Sequence, residues 1–125
     1  MAADRVRVAI ADDHRLFAEA LEAILSTDGR LEIVGHAADG REAVDLVQAK
    51  RPDVILIDLA MPVMDGIDAA EAIAGACPST RVIVLTGSKA PADVSRARAA
   101  GVSGYVTKDQ IAGDLVRAIL DAAAV

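Results

Sequence analysis

The stretch PDVILIDLAMPVMDG, Pro52 to Gly66, decides the fold. Val54 to Ile57 is an unbroken apolar run, too short for a buried helix and bounded by Pro and Gly, which suits a strand covered on both faces. The run ends in one carboxylate, Asp58, and a loop follows that carries Met61, Pro62, Asp65 and Gly66. A carboxylate at the carboxyl end of a central strand stands where open α/β sheets bind their ligands. Taken alone, such an Asp is equally a turn residue or a helix cap.

The sequence on either side repeats the pattern. Val8 to Ala11 is a second apolar run, closing on Asp12 and Asp13. From His14 to about Leu25 the residues Phe17, Leu21, Ile24 and Leu25 form the stripe of an amphipathic helix, ended by Asp28 and Gly29. Leu31 to His36 is a short strand, and Asp39 followed three residues later by Glu42 resembles a capping box opening a helix that runs to about Lys50 with Ala43, Val44 and Val47 inward. Beyond Gly66 a helix carries Ala70, Ile73 and Cys77 on one face and stops before Pro78. Arg81 to Leu85 is a fourth strand ending at Thr86, and Pro91 suits the first turn of a helix that ends near Gly101. Gly104 to Thr107 is a fifth strand ending at Lys108, before a last helix that opens near Asp109 and turns Ile111, Leu115, Ala118, Ile119 and Ala122 inward. Five strands alternating with five helices predict a parallel sheet covered on both faces through right-handed crossovers.

Composition narrows the function. The 125 residues are enough for one domain that buries roughly two thirds of its unfolded surface. With 54% apolar and 2% aromatic residues the core is aliphatic, and Phe17 and Tyr105 are the only rings of their kind. Thirteen Lys and Arg against nineteen Asp and Glu give a net charge of -6, which argues against a nucleic-acid-binding surface and for a cation as partner of an acidic cleft. The single cysteine, Cys77, forms no intrachain disulfide and fits a reducing compartment. The start MAADRVRV lacks a secretory h-region and no apolar run is long enough to span a membrane, so the expected location is the cytoplasm.

In a parallel sheet all the carboxyl strand ends share one rim, so Asp12, Asp13, Asp58, Thr86 and Lys108 are expected to meet there. Three crowded carboxylates repel, and the repulsion is relieved by a raised pKa or a bound hard cation. Carboxylates with a backbone carbonyl and water suit Mg²⁺. A metal site, a lysine and a hydroxyl around one further carboxylate suit a phosphoryl group carried on that carboxylate.

These residues give the chain its resemblance to the response-regulator receiver domains of two-component signalling, the family that includes CheY. It rests on the acidic pair of IADDH, Asp58 in LIDLAMPVMDG, Thr86 in VLTGS and Lys108 in GYVTKD, in the family's order across nearly the whole chain. The resemblance implies a flavodoxin-like doubly wound (βα)5 sandwich of strand order 2-1-3-4-5. It implies Asp58 as phosphoacceptor, with Asp13, Asp58 and the Ala60 carbonyl as Mg²⁺ ligands and Asp12 assisting through water. Thr86 and Lys108 would contact the phosphoryl oxygens, and Thr86 and Tyr105 would form the switch. The implied partners are a histidine kinase, an output domain and, on phosphorylation, a second copy of the chain; direct binding to nucleic acid or membrane is not implied. Gly87, Ser88 and Ala60 would tune the lifetime of the phosphorylated state.

ADDHRLF, IVGHAADGREAVDLV and GYVTKD resemble receivers that precede a LuxR-type helix-turn-helix. Many receivers have proline after the lysine; Asp109 stands there, as is usual in that subfamily. No helix-turn-helix precedes Val125, so a stand-alone receiver and one cut from a longer regulator both stay open. Two rival readings remain: a receiver-fold interaction module independent of phosphorylation, and an Mg²⁺-dependent phosphatase with an Asp nucleophile. The second fits poorly, because Asp12 and Asp13 are adjacent rather than spaced Asp-x-Asp and no cap is inserted. His14 is read as a surface or cap residue rather than a ligand, His36 as structural, Cys77 as core, and Met61 and Met64 as loop packing.

Overall fold

A computed structural model describes residues 5–87 and 90–124. Its strands are β1 (Val6–Ala11), β2 (Leu31–Ala37), β3 (Val54–Asp58), β4 (Arg81–Thr86) and β5 (Gly104–Thr107). The helices are α1 (Arg15–Leu25), α2 (Gly40–Lys50), α3 (Gly66–Ala76), α4 (Pro91–Ala99) and α5 (Ile111–Ala123). All pairings are parallel, as the alternation of strands and helices predicts, and the order is β2-β1-β3-β4-β5, as the resemblance implies. β3 is the centre: Val54, Ile55, Leu56 and Ile57 are fully buried, as a strand without polar alternation must be.

Alternation along the strands builds two cores. Ala9, Ile55, Ile57, Val82 and Val84 face α2, α3 and α4, where Ala43, Val47, Ala70, Ile73 and Ala97 meet them. Val8, Ile10, Leu56, Ile83 and Val106 face α1 and α5, where Leu21, Leu25, Leu115 and Ile119 meet them. Burying each large aliphatic side chain contributes about 1.5–3 kcal/mol, so small, branched residues suffice where rings are lacking.

Several local details differ from the sequence reading. The buried stripe of α1 is Ala18, Leu21 and Leu25, while Ile24 is 53% exposed at its edge. β2 reaches Ala37 and bulges at Val34, since Val8 pairs with Ile33 but Ala9 pairs with Gly35. Asp39 caps α2 by accepting from the Glu42 N–H at 2.8 Å, but the Glu42 carboxylate returns to the Ala38 N–H at 3.0 Å, one residue before the cap. Cys77 is buried just past the end of α3, as its C-cap. A 3-10 turn over Lys108–Gln110 stands between β5 and α5, so that Lys108 begins a turn instead of pointing into a helix start.

Gly40 is where α2 meets the loop after β3, and a Cβ there would run into the Met64 carbonyl. Gly75, near the end of α3, has open space at the same position. Gly40→Ala is therefore expected to destabilise the fold by about 1–3 kcal/mol, whereas Gly75→Ala stabilises it by up to about 1 kcal/mol. Urea midpoints of the two variants should move in opposite directions.

Candidate functional site

The strand alternation that sorts the core also sorts the rim. Asp12 continues the row of Val8 and Ile10, Asp58 that of Val54 and Leu56, and Lys108 that of Val106. These three charged groups therefore crown the α1/α5 side. Thr86 continues the row of Val82 and Val84, and half-buried Tyr105 packs against the same core, so both stand on the α2/α3/α4 side. Asp58 pairs in register with Leu85, the residue before Thr86, so the Asp58 and Thr86 side chains leave opposite faces of the sheet at adjacent strand ends.

On the first side the charges are in contact. The Asp12 carboxyl is 1% exposed and that of Asp58 6%. Lys108 Nζ lies 3.4 Å from Asp12 Oδ2 and 3.7 Å from Asp58 Oδ1. The same Nζ stands 4.3 Å from the centroid of the Phe17 ring, so α1 supplies an aromatic face that holds the ammonium over the carboxylates. Asp12 Oδ1 also accepts from the His14 backbone N–H at 2.8 Å, which fixes the turn into α1. The His14 ring, 68% exposed, places Nδ1 at 3.3 Å from both Asp12 Oδ1 and Asp13 Oδ1 and 4.0 Å from Asp58 Oδ2.

Burial pushes the Asp58 pKa up and the Asp12 carboxylate pushes it further; Lys108 and the Ala60 backbone N–H oppose the rise, and Asp13 adds to it. Asp12, Asp13, His14 and Asp58 each offer a ligand atom, and these atoms lie within 4.8 Å of one another. The set suits a divalent cation, because hard carboxylate oxygens are brought closer than their own charges allow. A cleft of about 410 Å³ runs from Asp12 and Asp13 between α1 and the start of α2, past Glu19, Glu22, His36 and Glu42. Its acidic lining attracts cations towards the rim.

The loop after Asp58 is held tightly. The Gly66 N–H donates to the Leu59 carbonyl at 3.0 Å, and a Cβ on Gly66 would stand 2.5 Å from the Asp58 carbonyl oxygen. Val63 has φ 68 and the Met64 N–H donates to the Pro62 carbonyl at 2.7 Å, a γ-turn that a β-branched residue adopts only under strain. Asp65 caps α3 through the Asp68 N–H and pairs with Arg96 of α4 at 3.6 Å. Ala60 is exposed at the head of this loop; Ser88 lies outside the described residues.

The structure thus brings Asp12, Asp13, Asp58 and Lys108 together and sets Thr86 and Tyr105 on the other face of the sheet. Sequence reasoning missed the contacts of His14 and Phe17; the one available signal was their place in the first turn after the acidic pair.

Residues 8–120 match the family model described as the response regulator receiver domain. A Mycobacterium tuberculosis protein named as the transcriptional regulatory protein NarL is 40% identical over 120 residues, 96% of this chain and 56% of that protein. The chain thus spans about half the length of the curated relatives it matches. The signal receiver domain of NarL from that organism superposes with a TM-score of 0.92 at 40% identity, covering 97% of this chain and 98% of that one. The response regulator domain of Thermotoga maritima CheB does so with 0.91 at 30% identity, covering 97% and 98%.

A raised carboxyl pKa makes the folded state bind more protons than the unfolded chain, so the contribution of Asp58 to stability is highest below its ordinary 3.8 and falls as pH rises through the raised value. In EDTA at pH 7, Asp58→Asn should therefore unfold at higher urea than the wild type. The gain should vanish in the same titration below about pH 3.8, where both side chains are neutral.

Proposed function

The chain belongs to the family of response regulator receiver domains, and on that premise we propose that Asp58 is its phosphoacceptor. The observation that carries the reading is the buried Asp58 carboxylate held between Asp12 and the Lys108 ammonium at the rim. An Asp58 oxygen attacks the phosphorus of a phosphohistidine on a partner kinase, or of a small acyl phosphate. The new O–P bond forms in line as the bond to the donor breaks; a leaving imidazole takes up a proton from solvent, and a leaving carboxylate departs as the anion. Water later cleaves the acyl phosphate and restores the carboxylate.

The acid cluster fits Mg²⁺, which Asp13, Asp58 and the Ala60 carbonyl would hold with Asp12 assisting through water; a bound ion would screen the negative charge of the transferring phosphoryl oxygens. Lys108 supplies a fixed positive charge from this chain, and Phe17 keeps it aimed. The phosphoryl group carries nearly two charges and three acceptor oxygens, which draw the Thr86 hydroxyl at the adjacent strand end towards Asp58. Tyr105, on the same face of the sheet as Thr86, follows into the space that Thr86 leaves and reshapes the face of α4, β5 and α5. Inverting a 1:99 population to 99:1 takes about 5.5 kcal/mol of preference, within reach of a few charge-assisted contacts.

The reshaped face signals to an output domain, which the names of the relatives suggest acts in transcription, and can pair two copies of the chain. No helix among the described residues is long and apolar enough to cross a membrane; the relatives' names as transcriptional regulators support a cytoplasmic location.

Incubation with acetyl phosphate and Mg²⁺ should add one phosphoryl group to the intact mass, and Asp58→Asn or EDTA should abolish the adduct. An adduct of equal yield on Asp58→Asn would overturn the assignment. Thr86→Ala should still accept the group, yet lose the change in amide exchange over β5 and α5 that phosphorylation causes in the wild type.

A further inference from the structure

Lys108 leaves the sheet at a lightly held place. It follows β5, a strand of four residues at the sheet's edge, and opens the 3-10 turn Lys108–Gln110 that leads into α5. Neither helical start is closed by its cap residue: Thr107 makes no side-chain bond to the backbone of the turn, and Gln110 makes none to that of α5. Instead the buried Thr107 hydroxyl donates to the Gln110 side-chain carbonyl at 3.0 Å. That clasp ties the end of β5 to the start of α5, with Lys108 between them. Thr107 also stands in register beside Thr86 on the same face of the sheet, so a second use of its hydroxyl lay within reach. Its proton goes to the turn.

The position of the ammonium shows why the turn matters. A charge-assisted pair closes to about 2.7–2.9 Å. Lys108 Nζ lies further than that from both acids, 3.4 Å from Asp12 Oδ2 and 3.7 Å from Asp58 Oδ1. An ammonium at liberty would close on one of them. Lys108 is therefore kept between the two by the Phe17 ring and by where its stem begins, and the clasp holds that origin.

We propose that Thr107 and Gln110 are positioning residues: their clasp fixes the origin of the Lys108 side chain, and transfer of a phosphoryl group to Asp58 depends on them through Lys108. The inference rests on the reading of Asp58 as phosphoacceptor. Neither residue acts on the reacting atoms.

Two readouts on the intact chain test it. The first needs no phosphoryl donor. The chain has three lysines, and the ring current of Phe17 should set the ε-proton signals of Lys108 upfield of those of Lys50 and Lys89. Thr107→Val and Gln110→Met, the second a change at an exposed side chain, should each move the Lys108 signals towards the ordinary lysine position, and Thr107→Ser should leave them in place. The second readout is the rate of adduct formation with acetyl phosphate and Mg²⁺. Each of the two disruptive variants should slow it roughly threefold or more, and the double variant should be no slower than the slower single one. In a Lys108→Met background Thr107→Val should cost nothing further. Unmoved Lys108 signals in both variants would overturn the proposal, as would an equal slowing by Thr107→Val in the Lys108→Met background. An effect of Thr107→Val without one of Gln110→Met would overturn it too, by placing the hydroxyl's role beside Thr86. Because the proton shift is read without a donor, a wild type that takes up no group overturns the phosphoacceptor reading and leaves the hold on Lys108 separately decided.

Discussion

Everything at the carboxyl rim follows from burying two carboxylates, Asp12 and Asp58, beside a third with one lysine, Lys108, in contact among the described residues. Charges this close in a protein interior repel far more strongly than in water, and a single ammonium shared between two of them offsets only part of the repulsion. The fold holds the acids there because β1 and β3 are central, buried strands whose ends cannot drift apart without breaking the sheet. Stability in the strands is thereby converted into a poised, electrostatically unfavourable site, which a cation stabilises and a phosphoryl group can modify.

The elements around the rim hold that arrangement in place. Phe17 fixes Lys108, Gly66 lets the loop close over the Asp58 carbonyl, and Gly40 lets α2 reach the same loop at Met64. Asp65 ties the loop to α4 through Arg96. The loop is thus connected both to the acids and to the helix whose face borders Thr86 and Tyr105. That connection, together with the placement of charge and switch residues on opposite faces of the sheet, gives a local change at Asp58 a physical route to a distant surface.

Much of this was legible in the sequence. Strands that end in Asp12, Asp58, Thr86 and Lys108 are readable because buried parallel strands lack polar alternation, and the loops that follow are marked by Gly and Pro. The strand order came through the family resemblance, since periodicity alone does not order strands. What stayed hidden depends on side-chain direction. Ile24 has the spacing of a core residue yet sits at the stripe's edge, and the ring of Phe17 reads as core although it also faces a cation. His14 reads as a cap because its residue type is common at helix starts, while only three-dimensional geometry shows its ring turned onto the acids. The γ-turn at Val63 was illegible because a β-branched residue is a poor sequence signal for positive φ.

If the rim acids form one cation-dependent site around Asp58, Mg²⁺ must stabilise the folded chain, and thermal unfolding with and without Mg²⁺ at pH 7 measures that stabilisation. An ion at a hundred times its Kd stabilises the folded state by about 2.7 kcal/mol, a rise in Tm of roughly 10 °C for a chain of this size. Such a rise is expected for the wild type, with its loss in Asp13→Asn and Asp58→Asn. An unchanged Tm in saturating Mg²⁺, or an equal rise in Asp58→Asn, would contradict it.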